Sequence, residues 1–189
     1  MNNHATRFFV LTGGPGSGKS AIIEALHRAG YARSAEAGRG VIQDQVSIGG
    51  PALPWHDPGL FAELMLSWDL RSYRMAERAA GPVFFDRGVV DVLGYLRLSG
   101  RPVPRHMTAA VETFRYNRRV FIAPPWEEIY RQDGERKQDF AEAVRTYQAM
   151  VAAYGENGYE LVEIPLGAVE QRTQFVLETI GKTVWTVEP

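Results

Sequence analysis

Residues 13–20, with the sequence GGPGSGKS, have the composition of a loop that surrounds a phosphate group. Glycines adopt positive φ angles and let the backbone approach a ligand closely, so that successive N–H groups can surround phosphate oxygens. The spacing fits G-x-x-x-x-G-K-[ST], in which the lysine neutralises the β- and γ-phosphates and the hydroxyl binds Mg²⁺. The residues are Gly13, Gly14, Pro15, Gly16, Ser17, Gly18, Lys19 and Ser20. The sequence therefore predicts a P-loop that binds ATP and Mg²⁺.

The segments on either side of this loop support the prediction. An apolar run at residues 7–11 is typical of a buried strand, and Ile22, Ile23 and Leu26 recur at helical spacing after the loop. A helix that begins at the loop adds the partial positive charge of its N-terminus to the phosphate site. The alternative is a glycine-rich turn with a solvated lysine, but such a turn leaves the entropy lost by four glycines uncompensated.

A second apolar run, at residues 83–88 (VFFDRG), ends in an aspartate. A buried strand followed by a carboxylate is the Walker-B pattern, in which the carboxylate holds Mg²⁺ directly or through water. We therefore expect Asp86 and Ser20 to hold the metal together. The alternative is a strand that simply ends in a polar turn.

Apolar runs alternate with helical patterns along the whole chain, which predicts an α/β fold with a mostly parallel sheet covered on both faces. Strands are predicted at residues 7–11, 31–34, 82–85, 119–123 and 159–164, and helices at 19–29, 37–48, 58–81, 89–99, 104–116, 139–154 and 168–181. We expect a single domain over residues 1–189. Ligands of such sheets bind beyond the carboxyl ends of the strands, which is where the candidate residues should lie.

The segment DRGVVD, with Asp86, Arg87 and Asp91, resembles the D/E-R motif that follows the third strand of nucleoside and nucleotide kinases. The polar stretch WEEIYRQDGERKQD (126–139) is similar to the lid of those kinases, with Arg131 and Arg136 where lid arginines close over the phosphates. The chain resembles P-loop kinases over nearly its full length, and it is most similar to a bacterial "predicted ATPase" group akin to nicotinamide riboside kinase domains. This resemblance implies a three-layer P-loop NTPase fold with strand order 2-3-1-4-5.

The resemblance also implies roles for residues outside the loop. Glu36 takes the proton of the acceptor hydroxyl and Arg39 faces the acceptor, within an acceptor region at about residues 36–80. Arg87 contacts the transferred phosphoryl group or the acceptor, and Asp91 contacts the acceptor. Arg131 and Arg136 act from a lid at about residues 125–138. Further contacts are implied for the aromatic residues Trp55, Trp68 and Tyr73, the flanking Arg71 and Arg74, and an adenine wall at 165–169.

Each of these residues also has a purely structural explanation. Glu36 and Asp91 suit the first turn of a helix, where a carboxylate opposes the helix dipole. Arg87 suits a salt bridge to Asp91 or Glu36. Arg131 suits an ion pair with Glu135 four residues later on a helix surface. Trp68 lies on an apolar stripe and suits the core.

Composition narrows the class of protein. A formal charge of −1 over 189 residues argues against general nucleic-acid or membrane-surface binding. The chain has no cysteine, which is compatible with a reducing compartment, and we expect a cytoplasmic protein with no membrane span. No N-K-x-D guanine motif follows a later strand, which argues against a GTPase, and a ring-forming ATPase needs a longer chain.

Two functions remain open from the sequence. The first is a kinase that moves the γ-phosphate of ATP to a nucleoside-, nucleotide- or metabolite-like acceptor. The alternative is a nucleotide-dependent switch or regulatory ATPase with no small acceptor. The lid favours the kinase, because closure excludes water that competes with the acceptor. The sequence shows no large exposed apolar motif of the kind that a switch uses to bind a partner. The acceptor and the oligomeric state remain open.

Overall fold

The computed structural model describes residues 3–130 and 139–181. Within them, five parallel strands form one sheet: β1 (Phe8–Gly13), β2 (Ala32–Ser34), β3 (Val83–Asp86), β4 (Arg119–Ala123) and β5 (Glu160–Glu163). Their order is β2-β3-β1-β4-β5. The predicted α/β class and the strand order 2-3-1-4-5 are therefore confirmed.

Seven α-helices connect the strands in the described part of the chain. They are α1 (Lys19–Arg28), α2 (Ala37–Ile48), α3 (Pro58–Ala76), α4 (Val89–Leu98), α5 (Arg105–Thr113), α6 (Phe140–Glu156) and α7 (Val169–Ile180). Short 3₁₀ turns occupy Asn3–Arg7 and Glu127–Ile129. In the described residues no helix is both long and apolar enough to cross a lipid bilayer.

The central strand divides the core into two halves. Phe8 and Val10 pack on the side of α2 to α6, whereas Phe9 and Leu11 pack against α1 and α7. This alternation follows from the period of two in a strand, whose successive side chains point to opposite faces. The result is a three-layer sandwich with the sheet in the middle.

Two helices end earlier than the sequence predicts. α3 ends at Ala76 rather than near residue 81, because the Arg7 guanidinium donates to the carbonyl oxygens of Ala76, Glu77 and Gly81. These contacts satisfy C-terminal carbonyl groups that a continued helix would have used itself. α5 ends at Thr113 rather than at residue 116, and Tyr116 is buried in the core instead.

Strand register brings the predicted site residues to one edge of the sheet. Leu11 of β1 pairs with Asp86 of β3, and Gly13 pairs with Ala123 of β4. Ser34 of β2 pairs with Phe85, so β2 ends beside β3. The carboxyl ends of three neighbouring strands therefore meet where the phosphate loop begins.

Candidate active site

The predicted phosphate loop connects β1 to α1 in a strand–loop–helix arrangement. The Ser17 hydroxyl donates to the carbonyl oxygen of Gly14 at 2.9 Å. The buried Lys19 ammonium donates to the same carbonyl at 2.6 Å and to Ser17 Oγ at 3.2 Å. The lysine charge therefore lies across the loop beside the N-terminus of α1, where it adds to the helix dipole.

Two of the loop glycines are required by close packing. A Cβ atom on Gly13, which has a φ of 128°, would collide with the carbonyl oxygen of Ala123. A Cβ atom on Gly14 would collide with the carbonyl oxygen of Ala143. Larger residues would push the loop away from the sheet and from α6, and the ring of N–H groups would open.

Ser20 and Asp86, the two residues predicted to hold the metal, lie in contact with each other. The Ser20 hydroxyl donates to Oδ2 of Asp86 at 3.1 Å. Adjacent ligands of an octahedral Mg²⁺ ion, with bonds of about 2.1 Å, lie about 3 Å apart. The other carboxylate oxygen of Asp86 is buried and has no hydrogen-bond partner in the described part of the chain. These two side chains therefore fit Mg²⁺, whose remaining ligands would be phosphate oxygens and water.

The charges around Asp86 also fit a bound cation. Burial raises the pKa of Asp86, as does the nearby Glu36 carboxylate, whereas Lys19, Arg87 and the Ser20 hydrogen bond lower it. A divalent cation would compensate these two neighbouring acids. Within the described residues no group of three or more His, Cys, Asp or Glu side chains could hold a metal without help. Mg²⁺ at a single protein carboxylate usually depends on substrate phosphates.

Arg87 links two of the acidic residues near this sheet edge, Glu36 and Asp91. Its Nε donates to Glu36 at 3.1 Å and its Nη1 donates to Asp91 at 3.1 Å. Among the described non-glycine residues, only Arg87 has a positive φ, of 69°. Left-handed backbone costs roughly 1–2 kcal/mol for such a residue. Strain of this kind persists where the surroundings fix the residue, and it is concentrated at functional sites.

Asp91 lies in the first turn of α4 and has a full set of donors. It accepts from the hydroxyls of Thr12 at 2.5 Å and Tyr154 at 2.6 Å. It also accepts from the Gly88 N–H at 3.0 Å and from Arg87 at 3.1 Å. The carboxylate therefore connects β1, α4 and α6, and it holds Arg87 beside the end of β3.

A cavity of about 1180 Å³ opens from the phosphate loop into the space between α2, α3, α4 and α6. Pro15 of the loop lines this cavity, together with Glu36, Arg87 and Asp91. Its walls are mostly apolar and include Ile42, Val46, Phe61, Met65 and Val92. Ligand sites are commonly apolar clefts with a few converging polar groups, and this cavity has that form.

The three aromatic residues that were predicted to contact the acceptor lie in different places. Trp55 lines the cavity and is 62% exposed. Trp68 packs over Gly40, on the edge of the core. Tyr73 is buried in the core and donates to the carbonyl oxygen of Arg115 at 2.8 Å. Tyr73 falls outside the described cavity lining, because its ring packs against Phe8 and Phe85 of the sheet and against Phe114 and Tyr116 after α5, and its predicted contact is wrong.

The remaining predicted arginines lie at the margins of the site. Arg39, one turn after Glu36, is half-buried and falls outside the described cavity lining. Arg71 is exposed, and the Arg74 guanidinium lies 5.6 Å from the centre of the Phe114 ring. Arg131 and Arg136 fall outside the described residues. The turn at 165–169 follows β5, and its adenine contact stays a prediction.

The start of the predicted lid lies against the phosphate loop. A Cβ atom on Gly16 would come within 2.6 Å of the Tyr130 ring, and one on Gly18 would come within 3.3 Å of Ile129. The segment that precedes the lid arginines therefore covers the outer face of the loop.

Several exposed apolar side chains lie in the region of α2 and α3, which the sequence did not indicate. Val46, Ile48, Trp55 and Leu60 are between 39% and 73% exposed. Val46 and Trp55 also line the cavity. These two side chains therefore give the cavity an apolar wall that reaches solvent.

Two buried polar residues were missed by the sequence analysis. Asp69, in the middle of α3, is 6% exposed and lines the cavity. The sequence pattern that could have identified Asp69 is its position in a series spaced four residues apart, whose other members, Phe61, Met65 and Tyr73, are apolar. Arg172, in α7, is 1% exposed and donates to the carbonyl oxygen of Ser17 at 2.9 Å. No sequence pattern indicates that contact, because it depends on how α7 packs against the loop.

A family model described as an AAA domain matches residues 8–172 of the chain. The chain belongs to this family. The match spans the phosphate loop, the cavity residues and Arg172. No curated protein matches the chain.

Solved kinase structures share the fold. Deoxyadenosine kinase from M. mycoides, with dCMP and dCDP bound, has a TM-score of 0.61 at 12% identity, over 92% of this chain and 97% of that one. The same kinase with dATP has a TM-score of 0.57 at 12% identity, over 93% and 100%. NadR in complex with NR has a TM-score of 0.67 at 17% identity, over 98% of this chain but 55% of NadR. The chain therefore has a P-loop kinase fold.

Proposed function

We propose that this protein transfers the γ-phosphate of ATP–Mg²⁺ to a hydroxyl group of a small molecule. The observation that carries the proposal is the continuity between the phosphate loop and the cavity, which meet at Pro15 beside Glu36 and Arg87. A donor phosphate held by the loop and an acceptor held in the cavity would meet at this junction. Such positioning supplies much of the rate acceleration in phosphoryl transfer.

The nucleotide half of the reaction belongs to the loop and β3. Backbone N–H groups of residues 13–20 would surround the phosphates, and Lys19 would move from the Gly14 carbonyl to the phosphate oxygens. Ser20 and Asp86 would hold Mg²⁺, which neutralises charge on the β- and γ-phosphates. Arg172 holds the loop through the Ser17 carbonyl, so it is a positioning residue.

The acceptor half belongs to the ends of β2 and β3. Glu36 would accept the proton of the acceptor hydroxyl, with its carboxylate fixed by the Arg87 guanidinium. Arg87 would face the transferred phosphoryl group, and Asp91 would hold Arg87 in place. Arg39 remains a proposed acceptor contact.

The lid completes the proposed reaction. Arg131 and Arg136 would close over the phosphates after the acceptor binds and would stabilise charge in the transition state. The contacts of Tyr130 with Gly16 and of Ile129 with Gly18 support this placement, because they bring the start of the lid to the loop. Closure would exclude water from the γ-phosphate.

The names of the structural neighbours support a small-molecule acceptor. One is a deoxyadenosine kinase, and the other was solved with NR. The test is ADP formation from ATP–Mg²⁺ across a panel of nucleosides, nucleotides and sugars, with Lys19→Ala as the inactive control. Strong stimulation by one compound class supports the kinase. A flat panel with wild-type ATP binding would support the nucleotide-dependent switch.

A further inference from the structure

Asp69 interrupts an apolar stripe on α3. Phe61, Met65, Asp69 and Tyr73 are spaced four residues apart, so they lie on one face of the helix. The three apolar members pack in the core and are at most 9% exposed. Asp69 is 6% exposed in the same environment. An apolar residue at this position would stabilise the helix packing, so the carboxyl needs another explanation.

The Asp69 carboxyl receives no hydrogen bond from any residue in the ranges 3–130 and 139–181. Buried carboxyl groups are normally hydrogen-bonded or paired, because desolvation of an unpaired one costs several kcal/mol. The one guanidinium that acts on it, Arg87, is already bound to Glu36 and Asp91. Among the described residues, this carboxyl therefore has no hydrogen-bond partner.

Asp69 lines the same cavity as Glu36 and Arg87. Asp69 lies on α3 and Glu36 directly precedes α2, and the charge of the Glu36 carboxylate acts on Asp69. A molecule that reaches Glu36 with one hydroxyl would present another of its polar groups to Asp69. A buried carboxyl that faces a cavity is a group that a ligand can satisfy.

The charges that line the cavity select against anions. The acidic residues of the described lining are Glu36, Asp69, Asp91 and Glu142, and its basic residue is Arg87. Recognition of an acceptor phosphate needs arginine or lysine side chains aimed at its oxygens. Arg71 and Arg74, the cations of α3, lie outside the described lining.

We infer that Asp69 recognises the acceptor by taking a hydrogen bond from its ring or base, and that the acceptor is a neutral or cationic nucleoside rather than a nucleotide. This inference rests on the proposed function, because it treats the cavity as the acceptor site. A nucleoside presents a ribose hydroxyl at one end and N–H donors or a cationic ring at the other. Those two ends match Glu36 and Asp69.

The test measures binding without turnover, in the presence of Mg²⁺ and a non-hydrolysable ATP analogue. The probes are deoxyadenosine, deoxycytidine and the cationic nicotinamide riboside, each compared with its 5′-monophosphate by calorimetry. The variants are Asp69→Asn and Asp69→Leu. Glu63→Gln is the matched control, since Glu63 lies on α3 outside the described lining and pairs with His106. Asp69→Leu continues the apolar stripe, so it should fold.

We expect at least one nucleoside to bind the wild type and its monophosphate to bind more weakly. Both Asp69 variants should lower the affinity for that nucleoside at least about tenfold. Their affinity for the ATP analogue, and the affinities of Glu63→Gln for all ligands, should stay within about twofold of wild type. A loss of affinity confined to nicotinamide riboside would show that Asp69 pairs with its positive charge. A loss of affinity for the neutral nucleosides would show that Asp69 acts through a hydrogen bond.

Three results would overturn the inference: equal nucleoside affinity in the wild type and both variants, tighter binding of monophosphates, or no binding of any nucleoside. A loss of folding in both variants would overturn it as well, because it would assign Asp69 to the core. If nucleosides bind through Asp69 but are not phosphorylated, the inference stands and the proposed function fails.

Discussion

Arg87 donates a hydrogen bond of 3.1 Å from its Nε to the Glu36 carboxylate, and this contact joins the ends of β3 and β2. The guanidinium holds the carboxylate in one orientation beside the cavity and the phosphate loop. A carboxylate fixed in this way can accept a proton from a hydroxyl that enters the cavity. In the proposed reaction, the same contact would place positive charge next to the transferred phosphoryl group.

Glu36→Gln should therefore impair the chemical step and spare nucleotide binding. General-base catalysis typically contributes 10²–10⁴-fold, so kcat with the acceptor should fall at least about 100-fold while the Kd for ATP–Mg²⁺ changes less than about twofold. Steady-state kinetics and calorimetry measure the two quantities, with Lys19→Ala as the variant that loses ATP. If Glu36→Gln binds ATP–Mg²⁺ as weakly as Lys19→Ala does, Glu36 belongs to the nucleotide site.

Asp86→Asn should remove the Mg²⁺-dependent part of ATP binding. The amide lacks the charge that compensates the cation, although it can keep a contact to Ser20. The rise in Tm caused by ATP in EDTA should be the same in the variant and the wild type, and the additional rise caused by Mg²⁺ should shrink. An undiminished Mg²⁺ effect in Asp86→Asn would place the metal elsewhere.

Arg172→Met should weaken both the fold and the nucleotide site. The change leaves the Ser17 carbonyl without its donor, which costs about 1–3 kcal/mol for a buried group. Because Ser17 belongs to the phosphate loop, the affinity for ATP should fall together with Tm. Arg97→Met is the control, since Arg97 pairs with Glu156 at the surface, where such pairs contribute about 1 kcal/mol or less. A lower Tm with unchanged ATP affinity would limit Arg172 to a structural role.

Asp69→Asn should change how stability depends on pH. Burial raises the pKa of Asp69 well above its usual value; Asp91, Glu36 and Asp86 add to this effect, and Arg87 opposes it. The unfolded chain loses this proton near the ordinary value of about 3.9, whereas the folded chain retains it to higher pH. The proton that Asp69 retains in the folded state therefore contributes fully to the free energy of unfolding below the ordinary pKa. This contribution is lost as the pH rises toward the raised pKa.

The difference in Tm between Asp69→Asn and the wild type should thus move in favour of the variant as the pH rises from about 3.5 to 8. Thermal unfolding without ligands measures this difference. A difference in Tm that is constant across this pH range would mean that Asp69 has the same pKa in the folded and the unfolded state.

The fold was predictable because local and global signals agree. The glycine-rich loop and the apolar strands specify the same elements. An aspartate directly before a helix is a common N-cap, and Asp57, which precedes Pro58 at the start of α3, accepts from the Leu60 N–H. The ends of α3 and α5 were not predictable. They are set by Arg7 and Tyr116, whose partners are distant in sequence.

The candidate site divides in the same way. Residues 13–20 and Asp86 could be found because their motifs are local and adjoin strand ends. Asp69 and Arg172 could not be assigned, because their importance lies in what surrounds them: a cavity wall for one and the back of the loop for the other. Tyr73 shows the converse error, since its place in the acceptor region gave no information about the direction of its ring.

Arg136→Ala tests the lid, whose arginines lie outside the described residues. If the guanidinium contacts the phosphates only after closure, its charge acts mainly in the transition state. The variant should lower kcat far more than it weakens ATP binding, by a factor that approaches the 10³–10⁵ of arginine fingers. Equal losses in kcat and in affinity would assign the residue to ground-state binding.

The central claim is that the γ-phosphate goes to a small acceptor and not to water. The most direct measurement is a single turnover with ATP labelled in its γ-phosphate, in which label is counted in a phosphorylated nucleoside and in inorganic phosphate. We predict that the label passes mainly to the nucleoside, and that without an acceptor it stays largely in ATP. Release of the label as inorganic phosphate at the same rate with and without every acceptor would contradict the account.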